Sequence, residues 1–230
     1  MTNVLDATAD ENSPVVIEPV YKQKPLRFLA WIISFIFHPL FISAYVGYYI
    51  IFLHPRYFSG YNHEQRFMVM VRLLINMVGF PVVAVLLLKG VGFIDSVLLK
   101  TQKDSIIPYM ACGIFFFWMY LVFRNQPDIP SILTSFIFGV FLASSAALIA
   151  NIYYKISMHA IGCGGMIGIL LVMLFHHPLS PATVPLMISL LISGMVCTSR
   201  MILGSHSQKE IYMGLLVGGV FQWISATFLM

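Results

Sequence analysis

The chain has 230 residues, 59% of them hydrophobic and only 10% charged, with a mean hydropathy of +0.88. A soluble domain carries roughly a quarter charged residues, so this composition excludes a soluble globular fold and places the chain in the polytopic membrane class. The formal charge of +4 implies no nucleic-acid partner, because the basic residues cluster at the ends of apolar segments, where membrane topology alone puts them.

Residues 1–25 hold Asp6, Asp10, Glu11 and Glu18, four of the nine acids, among residues with too little apolar surface to fold alone. They are expected to form a flexible, cytoplasmic-type tail, with residues 26–230 as a single transmembrane domain. The tail lacks a basic start, a short apolar run and a small-residue cleavage site near Met1, so the first apolar segment is expected to act as its own insertion signal.

Seven apolar segments follow, at approximately 27–53, 67–88, 108–123, 130–154, 159–175, 182–203 and 211–230, each compared with the ~20 residues that cross a bilayer core. The third and fifth are short. The expected fold is all-α, a transmembrane helical bundle of six to seven spans. Pro39 and Pro81 fall inside otherwise helical runs and are expected to kink them. The stretch between Lys89 and Lys100 is too short to span and reads as an interfacial turn or helix. Gly164 and Gly168, and likewise Gly214 and Gly218, are spaced for close helix packing in lipid. Cys112, Cys163 and Cys197 have no metal-ligand spacing and read as free thiols. His38, followed by Pro39, reads as a kink feature or polar contact, and His176-His177-Pro178 as a tight turn.

Across residues 131–230 only Lys155, Arg200, Lys209 and Glu210 carry a formal charge. Each lies within a few residues of His159 or His206. An ionisable group in a hydrocarbon-soluble chain is costly unless paired, hydrated or interfacial, which makes this clustering a functional signal. With seven spans, the stretches 99–107, 155–159 and 199–210 all emerge on the side of the tail, a condition for a composite site. The positive-inside rule puts that side in the cytoplasm, and a cell inner membrane is the expected location.

Three short patterns occupy those stretches: Lys100, six residues, then Ile107-Pro108; Ile156-Ser157-Met158-His159; and Ser199-Arg200, five residues, His206, three residues, Glu210. In order and spacing they resemble the signature of the type 2 phosphatidic acid phosphatase superfamily, which includes membrane lipid phosphatases and soluble vanadium haloperoxidases. The third pattern is the strong match; the first two are degraded. The resemblance covers approximately residues 70–225 and leaves the first helix and tail unexplained. It implies an acid phosphatase/haloperoxidase-like helical core. By the same resemblance His206 is the nucleophile that forms a phosphohistidine, Glu210 its orienting partner and His159 the leaving-group acid. Lys100, Ser157, Ser199 and Arg200 are then phosphate ligands. The resemblance implies no metal and no cofactor.

The residue chemistry agrees. Phosphoryl transfer needs a nucleophile, donors around the equatorial oxygens and an acid for the departing oxygen. On a helix beginning after Gly204, His206 and Glu210 share a face at the i, i+4 spacing, so Glu210 fixes the imidazole tautomer. Arg200 offers a planar fork to phosphate. Two departures stand out. Ile107 replaces an arginine, a loss worth ~10²-fold in rate, for which Lys103 is the substitute at hand. Met158 replaces a glycine whose backbone approaches the phosphate. The expected function is hydrolysis of a lipid phosphate or diphosphate entering from the bilayer; the alternative is an inactive relative that binds or transports an anionic ligand. A haem protein would need two histidines on facing helices at one depth, and the charges near His159 and His206 suit phosphate better.

Overall fold

The computed structural model of the chain describes residues 23–94, 102–176 and 181–230, with side chains in the last helix-forming stretch before residue 124 described from 106 onward. The tail through residue 22, the end of the 89–100 connection with Lys100, the side chain of Lys103, and His177-Pro178 lie outside the described residues.

All regular structure among these residues is helical: α1 (Lys24–Ile36), α2 (Pro39–Tyr48) continued by a π turn (Tyr49–Leu53), α3 (His63–Leu74), a second π turn (Ile75–Gly79), α4 (Phe80–Gly90), α5 (Gln102–Arg124), α6 (Ser131–Tyr153), α7 (Met158–His176), α8 (Thr183–Ile202) and α9 (Gln208–Leu229). Six stretches are long and apolar enough to cross a membrane, namely His63–Gly90, Ile106–Arg124 and α6 to α9. The chain is a multi-pass membrane protein. The segments that look short in sequence are 19 residues each, about 28 Å at 1.5 Å per residue, which matches the hydrocarbon thickness.

The two prolines behave differently. A residue preceding proline is pushed out of the helical region, and His38 is extended (φ −62°, ψ 142°). The first apolar segment therefore breaks, and α1 meets α2 at a 53° bend. At Pro81 the helix runs on past a wide turn. Residues Ile75–Gly79 form a π turn just upstream, with the Phe80 N–H donating to the Ile75 carbonyl, so the carbonyls the ring would strike are already spread and His63–Gly90 continues as one span.

The centre of the bundle is α7 and α9, with α6 against α9, α8 and α2 against α7, α1 against α8, and α5 against α6 and α4. Lipid tails are as apolar as leucine, so helices associate here by close packing and hydrogen bonds. A Cβ on Gly218 would meet the Gly165 nitrogen at 2.6 Å, one on Gly168 the Gly219 Cα at 2.9 Å, and one on Gly214 both Ala160 Cβ and the Ser157 carbonyl at 2.8 Å. Only glycine permits this crossing. Beside it, Ser225 Oγ donates to the Ser135 carbonyl (2.6 Å) and Gln222 Nε2 to the Phe136 carbonyl (3.2 Å), fastening α9 to α6. The three cysteines are unpaired thiols.

Candidate functional site

The α8–α9 junction is built by local rules. Gly204 has φ 67°, a left-handed conformation that glycine adopts without cost. Its N–H donates to the Met201 carbonyl and the Ser205 N–H to the Arg200 carbonyl, the paired bonds that close a helix with a glycine just past its end. The chain thus doubles back beside Arg200 and delivers His206 two residues later.

Helix α9 then starts on a capping box. Ser207 Oγ accepts from the Glu210 N–H (3.4 Å), and Glu210 Oε2 accepts from the Ser207 N–H (3.4 Å). The same Oε2 accepts from His206 Nδ1 at 2.7 Å. His206 precedes the helix, so the pair forms by a shared carboxylate at the helix start and not by two side chains on one helical face, as the spacing alone suggests. Because Nδ1 donates, Nε2 of a neutral His206 keeps its lone pair. Burial, together with the positive charges of Arg200 and Lys155, outweighs the Glu210 bond and lowers the His206 pKa to about 4, so the ring is neutral at pH 7.

The α6–α7 loop lies against this junction. The Ser157 N–H donates to the Glu210 carbonyl (3.5 Å), and Ser157 Oγ accepts from the Ala160 N–H (3.4 Å) at the start of α7. His159 follows in the first turn. It is within electrostatic reach of Arg200, His38 and, most weakly, His206. Ser199 Oγ, fully buried, donates to the Met195 carbonyl (2.7 Å). The Ser199 hydroxyl proton is therefore spent on its own helix, whereas the Ser157 hydroxyl, which only accepts, keeps its proton to donate. Lys100 and the Lys103 side chain lie outside the described residues; Ile107 is partly exposed on α5.

Two groups come from the broken first helix, which lies outside the stretch covered by the resemblance. His159 Nε2 lies 3.1 Å from the Ser34 carbonyl; a carbonyl only accepts, so Nε2 carries the proton. The His38 ring stands edge-on to His159, centroids 5.4 Å apart at 82°, and is also within reach of Arg200. The sole sequence signal for His38 was a histidine directly before a proline inside an apolar run.

The charge balance is what a binding site for an anion requires. Arg200 Nε is buried without a hydrogen-bond partner among the described residues, while Glu210 is committed to His206 and Ser207. Among the described residues around His206 the charges are Arg200, Lys155 and Lys209 against Glu210, and a partly buried cation left short of partners is costly until an anion supplies them. Protein-family models, curated proteins and solved structures offer no match to this chain.

Proposed function

We propose that the chain is a membrane-embedded phosphatase that hydrolyses a lipid phosphate or diphosphate through a phosphohistidine. The 2.7 Å bond from His206 Nδ1 to Glu210 Oε2 carries this reading, because it leaves Nε2 of a neutral ring as a nucleophile near an arginine whose buried Nε is unpaired. Nε2 attacks phosphorus, the P–N bond forms as the P–O bond to the lipid breaks, and the departing oxygen takes a proton. Glu210 stabilises the charge the ring acquires, and Arg200 with Lys155 balances the phosphoryl oxygens. Water then attacks phosphorus, the P–N bond breaks, its electrons return to Nε2, and the proton released by water restores the acid. A lipid substrate is supported by an apolar groove of about 370 Å³ between α1 and α8, whose lining includes Leu26, Ala30, Ile33, Ser199 and Ile202, on both sides of Arg200 in sequence.

One observation favours a second reading. His159 Nε2–H is held by the Ser34 carbonyl, so His159 protonates a leaving group only as an imidazolium, from Nδ1. A protein that keeps the anion site without turnover, and binds or carries an anionic lipid, meets no such requirement. The experiment is release of phosphate by purified protein from phosphatidic acid, phosphatidylglycerol phosphate and polyprenyl diphosphate, against a His206→Ala control. Turnover above the control is expected. Turnover equal to the control overturns the hydrolase, and vanadate binding with no phosphohistidine trapped on denaturation then selects the binding protein.

A further inference from the structure

The first helix breaks at the level of the charged end of the bundle, and the break is what brings its polar groups inside. His38 is both the residue that precedes Pro39 and the N-cap of α2, with Nδ1 accepting from the Leu40 N–H at 3.4 Å. An acceptor at Nδ1 means that the proton of the neutral ring is on Nε2. Arg200 Nε is buried without a hydrogen-bond partner among the described residues, and the hydrogen bond of the half-buried His38 ring is the one at Nδ1, which leaves Nε2–H to face a ligand. An unpaired guanidinium N–H and an imidazole N–H thus lie in one neighbourhood, supplied by the end of α8 and the α1–α2 break, next to the His159 ring that His38 touches edge-on.

We propose that His38 is an anion-binding residue of this site, its Nε2–H donating to an oxygen of the same tetrahedral oxyanion that Arg200 neutralises. The inference rests on the reading of Arg200 and His206 as a phosphate site. It assigns a donor to the place where the sequence, with Ile107 on α5, offers none. The N-terminal broken helix is then a wall of the site, and not only an anchor.

Two substitutions separate binding from helix capping. His38→Asn keeps an acceptor at the Nδ1 position, and asparagine is among the best N-caps, but it removes the Nε2 donor. His38→Gln reaches the Nε2 position with an amide N–H₂ and gives up the cap. Orthovanadate binding to purified full-length protein is measured by calorimetry for wild type and both variants. The expected result is about tenfold weaker binding for His38→Asn, the loss of one hydrogen bond to a charged group, and binding within about twofold of wild type for His38→Gln. His38→Ser, which also caps without reaching the site, gives the same weakening and serves if the asparagine variant does not fold. Wild-type affinity in His38→Asn, or equal weakening in both, overturns the proposal while leaving the phosphate site in place. A wild-type protein that binds no vanadate overturns both.

Discussion

Along α7 and α9 the crossing at Gly164, Gly168, Gly214 and Gly218 is closed, with backbone on backbone and the nearby serine and glutamine side chains bonded to α6. Within about a turn, at His159 on one helix and Glu210 on the other, the same pair opens into a cluster of imidazoles, a guanidinium and a carboxylate with donors left unmet. The contrast explains how the second region persists. Underpaired polar groups relax towards one another wherever the scaffold yields, and a glycine crossing leaves it no slack. The two helix starts are held at a fixed separation, so the cluster keeps its arrangement.

The comparison breaks most completely at Gly218. Gly218→Val drives a branched side chain into the backbone of α7, an overpacking that costs ~3 kcal/mol or more, and the expected outcome is loss of monodisperse protein on size-exclusion chromatography. Glu210→Gln probes the other region alone. Glutamine completes a capping box as glutamate does, so the melting temperature stays close to wild type while phosphohistidine formation slows by ~10²-fold, read by rapid-quench trapping.

Acid sharpens the difference further. With the His206 pKa lowered to about 4 in the fold against an ordinary value near 6.5, the unfolded chain takes up a proton in that window that the folded chain refuses. Stability is therefore highest above about pH 6.5 and falls as pH drops towards 4, by up to about 3 kcal/mol. Thermal melts across this range should slope for wild type and flatten for His206→Gln.

Smaller still is Gly204→Ala, which places a Cβ in a left-handed conformation at a cost of about 1–2 kcal/mol and tilts the Arg200–His206 turn. Its melting temperature drops modestly while vanadate affinity drops with it, a pairing that Ser225→Ala does not show. Ser225→Ala removes two interhelical bonds, to the Ser135 carbonyl and to Ser135 Oγ, each worth about 0.6 kcal/mol in a membrane bundle, and leaves vanadate binding unchanged.

What was legible in the sequence followed from locality. The spacing from Ser199 to Glu210 could be read because it is local: in the structure a helix stop at Gly204 and a start at Ser207 and Glu210 set the geometry of these twelve residues. Span positions were equally plain, because hydrocarbon length sets them. The break at Pro39 was readable from the restricted residue before it, whereas the π turn just ahead of Pro81 was not, since it has no residue signature of its own. His38 and Ser34 were missed as site residues for a different reason. Their partner, His159, is more than a hundred residues away, and no spacing rule connects an isolated His-Pro to it. The pairing of His206 with Glu210 was foreseen, yet its origin was not: a cap, and not a helix face, makes it.

The bend between α1 and α2 also decides what counts as a minimal unit. A shortened chain starting after Leu53 would retain all three signature stretches and pass any inspection for them, but it would leave behind the carbonyl that sets which nitrogen of His159 holds hydrogen. The chemistry proposed for the six spans after Leu53 depends on an upstream peptide group, whose side chain identity is irrelevant to the job it does.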